Sequence, residues 1–252
     1  MNKYKRLEEI TKLVNEKGSI RIADIVSMLN VTDMTVRRDL MELEKQGVLI
    51  KTHGGAKSKV ALRQRERSHH EKHAQNMEQK RYIAKLAAQK IEEGDTIFLG
   101  PGTTAELLAE EINNQTLSVV TNCYPVFNIL FKKKSETFKV FLLGGQMREL
   151  TESFVGEITN TILEKMKFNK MFFSGNAVKG NEIMTSSFAE AYTQQIALKN
   201  SVECYLLLDS SKIGKEDFTT FYYLTNITAL ISDNEDLDKL QNLSEFTTII
   251  TE

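Results

Sequence analysis

Short apolar segments alternate with amphipathic helical segments along most of the chain, and this alternation strongly constrains the fold. Six apolar segments can form strands: DTIFLG, LSVVTN, FKVFLLGG, KMFFSGN, CYLLLDSS and ITALISD. Helical patterns lie between them, beginning near Thr103 and at about 125–131, 156–166 and 188–200. Short strands that alternate with helices predict a parallel sheet with helices on both faces. The sequence therefore predicts an α/β domain over residues 80–252.

The first sixty residues show a different pattern. Three helical segments precede an extended one: YKRLEEITKLVNEKG, SIRIADIVSMLN, VTDMTVRRDLMELEKQG and VLIKTHGG. Ser19 is a possible N-cap of the second helix and Thr32 of the third, and only Asn-Val-Thr separates these helices. A corner of this length is typical of a helix-turn-helix, and the last segment predicts a small β-hairpin. We therefore predict a winged helix-turn-helix domain over 1–57 and a linker over 58–79.

Charge distinguishes these two regions. The whole chain is nearly neutral, with 33 Lys and Arg against 34 Asp and Glu. Residues 1–59, however, carry twelve basic and eight acidic side chains. A basic segment attached to an acidic body indicates that only the first region binds a polyanion.

Two adjacent arginines, Arg37 and Arg38, lie beside the apolar stripe of the third helix. A helix held across another by a short turn can enter the major groove, where guanidinium groups meet guanine edges or phosphates. The alternative is a solvated helix with two surface arginines. The helix spacing, the basic hairpin and the charge balance favour double-stranded DNA as the partner. The predicted DNA-binding residues are Thr32, Thr35, Arg37, Arg38, Lys51, His53, Gly54, Gly55 and Lys57.

A glycine-containing turn follows the first strand of the α/β region. In LGPGTTAELLAEE the strand runs into Gly100 and Gly102, and Thr103 and Thr104 open a helix. Free backbone N–H groups and the helix dipole form an anion site there, with the threonine hydroxyls as further donors. The Walker A pattern is absent, which disfavours a nucleoside triphosphate, and a tight turn without a ligand is the alternative.

Polar residues also follow the other strands, and parallel strands bring such loops to one edge where ligands bind. Asp209 could accept sugar hydroxyls and Lys212 could bind phosphate; the alternatives are a turn cap and a solvated side chain. Glu190 is either a surface acid or a hydroxyl acceptor. Lys72 and Lys80 could reach the phosphate, and the alternative is that both merely face solvent. The other predicted effector-binding residues are Thr121, Asn122, Gly144, Gly145, Arg148 and Asn176.

Other features carry weaker predictions. His69 and His73 have a helical spacing, but the His-Glu-x-x-His pattern and a third ligand are missing, so neither a metal nor a cofactor is predicted. Cys123 and Cys204 lie in apolar runs and are expected to be buried thiols in a reducing compartment. We expect a cytoplasmic protein, since no signal-peptide core and no apolar run near the ~20 residues of a membrane span is visible.

The segment VTDMTVRRDLMELEKQGVLIKTHGGA resembles the DNA-binding module of the DeoR family of bacterial sugar-metabolism regulators. GDTIFLGPGTT, VVTN, LLGGQM, FVGE and LLLDSSKIGKEDF extend the resemblance over nearly the whole chain. The resemblance implies a repressor that binds operator DNA as a homo-oligomer, and a sugar-phosphate pocket in a fold of the ribose-5-phosphate isomerase type. The resemblance also extends to family members that respond to tagatose 6-phosphate, an intermediate of lactose breakdown. It therefore implies tagatose 6-phosphate as the effector.

The sequence departs from the family pattern at two places. The phosphate loop more often reads Asp-Ser-Gly-Thr-Thr, whereas Gly100 and Pro101 occupy the first two positions here, and Asn176 replaces part of a glycine-rich segment. These changes are expected to alter the sugar contacts and to keep the phosphate site. The alternative function is a sugar-phosphate isomerase or deaminase with a DNA-binding domain, for which Asp209, Glu190 and Lys212 could supply acid-base groups. The Gly-rich loops contain no His or second carboxylate, so no catalytic residue is predicted.

Overall fold

The computed structural model describes residues 3–17, 19–52, 54–58, 71 and 74–252. The chain divides into two compact units, 1–66 and 67–252. Strand residue Ser58 belongs to the first unit and a helix that begins at Met77 to the second. The domain boundaries given above, with a linker over 58–79, stay a prediction. His53, His69, Lys72 and His73 lie outside the described residues.

The first unit contains three helices and a three-stranded antiparallel sheet. The helices are α1 (Lys3–Lys17), α2 (Ile22–Leu29) and α3 (Asp33–Lys45). The strands are β1 (Ser19–Arg21), β2 (Leu49–Thr52) and β3 (Gly55–Ser58), in the order β1-β3-β2. Ile10, Ile25, Val36, Leu40 and Leu49 are buried in one cluster between them. Each helix turns its apolar stripe to this core, which confirms the winged helix-turn-helix.

The second helix begins later than predicted, and the assignment of Ser19 as its cap is wrong. Residues Ser19–Arg21 form a strand that pairs antiparallel with β3, with Ser19 opposite Lys57 and Arg21 opposite Gly55. Helix α2 starts at Ile22, whose N–H donates to the Gly54 carbonyl at 2.9 Å. This pairing involves residues more than thirty positions away, so the local helical pattern does not reveal it.

The corner between α2 and α3 has the predicted capping geometry. Asn30 ends α2 in a left-handed conformation with φ 49°, which Asn tolerates better than most residues. The Thr32 Oγ1 accepts a hydrogen bond from the Thr35 N–H at 3.3 Å, so Thr32 is the N-cap of α3 as predicted. The corner therefore fixes the direction in which α3 leaves α2.

A buried ion pair connects α1 with α3. The Arg6 Nε lies 2.6 Å from Asp39 Oδ2, and the Arg6 Nη2 lies 3.2 Å from Asp39 Oδ1. The hydrogen bond with Asp39 raises the pKa of Arg6 above its ordinary value. Asp39 is almost fully buried, so this two-pronged contact supplies the partner that a buried carboxylate requires.

The second unit is built on a seven-stranded parallel sheet in the order β15-β14-β12-β9-β4-β5-β6. These strands are β4 (Thr96–Leu99), β5 (Leu117–Thr121), β6 (Phe138–Leu142), β9 (Phe168–Phe173), β12 (Ser201–Leu207), β14 (Ala229–Ile231) and β15 (Thr248–Ile250). The hairpin β7 (Gln146–Arg148) and β8 (Ser153–Val155) and the antiparallel β10 (Ala177–Lys179), β11 (Glu182–Thr185) and β13 (Thr219–Tyr223) lie outside this sheet.

Helices cover both faces of the sheet. They are α4 (Met77–Ala88), α5 (Thr103–Glu111), α6 (Tyr124–Phe131), α7 (Glu157–Leu163), α8 (Phe188–Lys199) and α9 (Leu237–Gln241). Ile97 and Leu99 of β4 pack in one buried cluster with residues of α4, α5 and α6. Phe98 packs in a second cluster with residues of α7, α8 and α9. The prediction of a parallel sheet covered on both faces is confirmed.

Both cysteines are buried, as predicted. Burial raises the pKa of the Cys123 thiol to about 12 and that of the Cys204 thiol to about 11. Both groups are therefore protonated at neutral pH, and a protonated buried thiol is inert.

We expect iodoacetamide at pH 8 to leave Cys123 and Cys204 unmodified in the folded protein, because the thiolate is scarce and the sulfur is covered. Mass spectrometry after labelling with and without denaturant measures this, and both thiols should react in the unfolded chain. Native-state labelling at the unfolded rate would show that these thiols are accessible.

Replacement of Gly55 by alanine should destabilise the first unit by about 1–3 kcal/mol through overpacking. A Cβ atom at Gly55 would lie 2.0 Å from the Ile20 carbonyl oxygen, whereas one at Gly54 would meet nothing within 4 Å. Gly54→Ala is therefore the matched control, with little expected change. Urea unfolding of both variants measures the difference, and equal stability of the two would contradict the close approach of β1 and β3.

Candidate functional site

The outer surface of α3 presents the predicted arginine pair. Arg37 and Arg38 are exposed, whereas Val36 and Leu40 on the same helix are fully buried. The Arg37 Nε lies 2.5 Å from Asp33 Oδ1, one helical turn earlier. Thr32 and Thr35 lie at the N-terminal end of the helix, with their hydroxyls 2.9 Å apart. Hydroxyl and guanidinium donors thus share the surface of one helix, as contact with phosphates and base edges requires.

The β2–β3 wing carries the other predicted DNA-binding residues. The Lys51 N–H donates to Glu44 Oε1 at 2.9 Å, which connects the wing to the end of α3. The Lys57 side chain is exposed, and Gly54 lies in an exposed turn. Gly55 is buried against β1 and has a packing role of its own. DNA contact by each of these residues stays a prediction.

In the second unit, the carboxyl ends of β4 and β9 lie side by side, at a position where open α/β sheets form a crevice. Strand β4 pairs with β5 on one side and with β9 on the other. Strands β5 and β6 extend the sheet in one direction and β9, β12, β14 and β15 extend it in the other, so the strand order reverses between β4 and β9. Ligands bind at such switch points in open α/β sheets. The Gly100 N–H donates to the Phe172 carbonyl at 2.9 Å, and a Cβ at Gly102 would lie 3.4 Å from Ser174. The two loops therefore touch.

Helix α5 begins in this crevice with features of an anion site. Gly102 is its N-cap, with φ 136° and no side-chain capping bond. Thr103 and Thr104 follow and are buried. The Ser174 Oγ on the adjoining loop is buried without a hydrogen-bond partner among the described residues. The uncapped N–H groups of α5 and the Ser174 hydroxyl lie on two loops that touch at Gly102 and Ser174. An anionic ligand can therefore satisfy both.

Asp209 is the central acidic residue at this edge of the sheet. It follows β12 and is almost completely buried. Its Oδ1 accepts hydrogen bonds from Asn76 Nδ2 at 2.9 Å and from Ser211 Oγ. Its Oδ2 has no hydrogen-bond partner among the described residues and lies 3.7 Å from Lys212 Nζ. Lys212 also donates to the Gly175 carbonyl at 3.1 Å, so its ammonium contacts both Asp209 and the loop after β9.

The surroundings of Asp209 keep it ionised. Burial by itself would raise the pKa of this carboxyl, but the positive charge of Lys212, hydrogen bonds from Ser211 and Asn76, and the charge of Lys80 together hold it below its ordinary value. At neutral pH the unpartnered Oδ2 is therefore a charged acceptor for a ligand hydroxyl. Lys80 is itself buried on α4, which brings one of the two predicted linker-side lysines close to Asp209.

A second polar cluster surrounds Glu190 at the beginning of α8. Its Oε1 accepts a hydrogen bond from Ser153 Oγ at 2.9 Å and another from Thr151 Oγ1, and lies 3.6 Å from Arg148 Nη1. Glu190 is buried, so the alternative of a surface acid is wrong. Its contacts join the β7–β8 hairpin to α8, and its contact with a sugar hydroxyl stays a prediction.

The residues after β5 connect this hairpin with the sheet. The Asn122 Nδ2 donates to the Phe154 carbonyl at 2.8 Å, while its buried Oδ1 has no hydrogen-bond partner among the described residues. Thr121 Oγ1 accepts from the Cys123 N–H at 3.0 Å. Asn122 Oδ1 is thus a further acceptor at the carboxyl edge that a ligand donor can satisfy.

Three of the predicted pocket residues have packing contacts of their own. A Cβ at Gly145 would lie 2.2 Å from Thr159 Oγ1, and this hydroxyl donates to the Gly144 carbonyl at 2.8 Å. Asn176 Nδ2 lies 3.1 Å from Ser186 Oγ. Gly145 therefore allows the loop after β6 to approach α7. The effector contacts predicted for Gly144, Gly145 and Asn176 stay predictions.

Sequence reasoning missed several polar residues around these clusters. Ser174 directly follows β9, so the same edge rule that pointed to Asn176 could have found it. Asn76 and Thr151 carry no such signal, because each meets its carboxylate partner only through long-range contacts. The residues missed are Asn76, Thr151, Ser153, Ser174 and Ser211.

Two features are absent from the described residues. No group of three or more His, Cys, Asp or Glu side chains there is placed to hold a metal ion. None of the helices in that part of the chain is both long enough and apolar enough to span a bilayer.

Solved structures give only weak similarity. Ribose 5-phosphate isomerase A from Methanocaldococcus jannaschii aligns with 55% of this chain and 55% of its own, with 18% identity and a TM-score of 0.40. The eIF2B beta subunit from Chaetomium thermophilum aligns with 68% of this chain and 54% of its own, with 16% identity and a TM-score of 0.45. At these scores neither similarity supports a functional argument.

Sequence relatives match along the full length. The DeoR-like helix-turn-helix domain matches residues 6–60, and the DeoR C terminal sensor domain matches residues 75–234. A lactose phosphotransferase system repressor from Streptococcus mutans is 65% identical over 250 residues, covering 99% of this chain and all of the relative. One from Staphylococcus epidermidis is 59% identical over 251 residues, covering both chains completely. The chain therefore belongs to the DeoR family.

Proposed function

We propose that this protein is a transcriptional repressor of a lactose- or galactose-catabolic operon that releases its operator when a phosphorylated sugar binds the second unit. The observation that carries the proposal is the switch-point cluster: an ionised buried Asp209 with an unpartnered oxygen, next to Lys212 and the uncapped end of α5. Full-length similarity to proteins named lactose phosphotransferase system repressors supports the same function.

The chemistry of the cluster suits a sugar phosphate. The α5 N-terminus, Lys80 and Lys212 supply positive potential for a phosphate group. Asp209 Oδ2, Asn122 Oδ1 and Ser174 Oγ are buried atoms that have no hydrogen-bond partner among the described residues, and sugar hydroxyls can satisfy them. A ligand with one anionic end and several hydroxyl groups fits this set of donors and acceptors. We propose tagatose 6-phosphate as the first compound to test.

The first unit supplies the DNA-binding surface in this proposal. Arg37 and Arg38 face away from the core on a helix that the short corner and the Arg6–Asp39 pair hold in place. Such a helix is inserted into the major groove in helix-turn-helix proteins, which bind two-fold related half-sites as dimers. We therefore propose a homo-oligomer that acts on operator DNA, and place it in the bacterial cytoplasm where that DNA is found.

The alternative is a sugar-phosphate isomerase or deaminase with a DNA-binding domain. We propose instead that the protein has no catalytic activity and that Asp209 and Glu190 serve only as ligand acceptors. Incubation of the purified protein with tagatose 6-phosphate, fructose 6-phosphate and glucosamine 6-phosphate tests this directly. Turnover above the buffer rate, lost in Asp209→Asn, would favour the enzyme.

Arg37→Ala and Arg38→Ala should each weaken operator binding without loss of stability, because both side chains are exposed. If the arginine binds guanine through two hydrogen bonds, its removal should cost about 1–3 kcal/mol of sequence discrimination. If the arginine contacts a phosphate instead, its removal should lower the salt dependence of binding. Lys12→Ala, an exposed basic residue on α1, is the control. Undiminished affinity in both arginine variants, across a salt titration, would remove α3 from the interface.

Asp209→Asn and Lys212→Ala should give repressors that bind operator DNA normally but respond weakly to sugar phosphate. Hydrogen bonds to charged groups contribute about 1.5–3 kcal/mol, so effector affinity should fall roughly tenfold or more. Lys212→Arg keeps the positive charge and should retain partial response. Calorimetric titration with tagatose 6-phosphate and an operator-release assay measure the two effects.

Lys215→Ala, which removes an exposed lysine from the same loop, is the control and should respond like the wild type. Normal release of the operator by both Asp209→Asn and Lys212→Ala would show that the pocket lies elsewhere.

A further inference from the structure

Asn76 occupies an unusual position at the beginning of the second unit. It immediately precedes α4 and has a left-handed backbone, with φ 51° and ψ 44°. Among non-glycine residues, asparagine is one of the few that adopt this conformation readily. Its Nδ2 donates to Asp209 Oδ1 and to Ser211 Oγ, both at 2.9 Å, across more than 130 positions of sequence. The segment through which the chain enters this unit is therefore hydrogen-bonded to the pocket carboxylate.

The first turn of α4 reinforces this connection. The Lys80 N–H donates to the Asn76 carbonyl at 3.0 Å, so Asn76 and Lys80 are the two ends of one helical turn. The positive charge of Lys80 acts on Asp209, as does the hydrogen bond from Asn76. Both ends of this turn therefore respond to what Asp209 binds.

The two oxygens of Asp209 differ in their hydrogen bonding. Oδ1 is occupied by Asn76 and Ser211, whereas Oδ2 has no hydrogen-bond partner among the described residues. A ligand hydroxyl that binds Oδ2 restricts rotation of the carboxylate and so fixes the oxygen that Asn76 holds. Ligand binding at Oδ2 and attachment of Asn76 at Oδ1 should consequently favour each other.

We propose that Asn76 couples effector binding to the DNA-binding unit, because a ligand at Asp209 strengthens the attachment of the entry segment of the second unit to this carboxylate. This inference rests on the proposed function, since it assumes that a sugar phosphate binds at Asp209. Residues before Asn76 connect covalently to the first unit, so attachment at this point restricts the chain that carries α3. The operator-bound repressor is the arrangement that this attachment disfavours.

Asn76→Gly tests the proposal in the full-length protein. Glycine adopts a positive φ without strain, so this variant removes the side-chain hydrogen bonds and keeps the backbone. Ser211→Ala is the comparison variant, because it removes the other hydrogen bond to Oδ1 and the bond between Asn76 and Ser211, while it keeps the bond between Asn76 and Asp209. Operator affinity is measured with and without saturating tagatose 6-phosphate, and thermal melts verify that each variant is folded.

The readout is the ratio of operator dissociation constants with and without the sugar phosphate. Typical coupling between sites gives a ratio of about 5–150, and the wild type should fall within that range. Asn76→Gly should bind tagatose 6-phosphate, and its ratio should fall to near one. Ser211→Ala should need a higher sugar-phosphate concentration but keep the wild-type ratio at saturation.

The possible failures are distinguishable. If Asn76→Gly and Ser211→Ala both keep the wild-type ratio at saturation, Asn76 only orients Asp209. That result overturns the coupling proposal and leaves the proposed function standing. If tagatose 6-phosphate, galactose 6-phosphate and inorganic phosphate all fail to bind the wild type or to change its operator affinity, the proposed effector function itself fails.

Discussion

The proposed effector site depends on the parallel pairing of β4 with β5 on one side and β9 on the other. At this position the Gly100 N–H, directly after β4, donates to the Phe172 carbonyl of β9, and the loop that carries Gly102 lies against Ser174 after β9. Strand β12 pairs with β9 and brings Asp209 to the same edge. The uncapped start of α5, Ser174 and Asp209 therefore come together because of strand order, although they are far apart in the sequence.

Electrostatic balance at this edge gives the pocket its chemistry. A buried carboxylate is costly unless positive charges and donors surround it, and Lys212, Ser211, Asn76 and Lys80 supply them at Asp209. Lys212 makes its own bond to the Gly175 carbonyl, so its ammonium is held beside the crevice. The result is a site with fixed positive charge and a charged acceptor, suited to a ligand that carries phosphate and hydroxyl groups.

The contacts within the first unit hold α3 rigidly with its polar side outward. The Arg6–Asp39 pair connects α3 to α1, the Thr32 cap sets its beginning, and Glu44 binds the backbone of the wing. These contacts lie on the inner side and the ends of the helix. Arg37 and Arg38 are consequently left exposed on its outer side, where a DNA groove can reach them.

Hydrophobic periodicity alone determined the three helices of the first unit, the parallel sheet and the loops that carry Gly102, Asp209 and Lys212, because strand and helix periods depend on local sequence. Strands β1 and β15 escaped this reasoning, since their formation depends on pairing with distant strands. The short antiparallel strands β7, β8, β10, β11 and β13 outside the main sheet escaped it as well. Only the tertiary structure decided that Glu190 is buried against Ser153 and that Asn76 meets Asp209. These contacts join residues 37 and 133 positions apart, and no local pattern specifies which distant polar groups will satisfy a buried carboxylate.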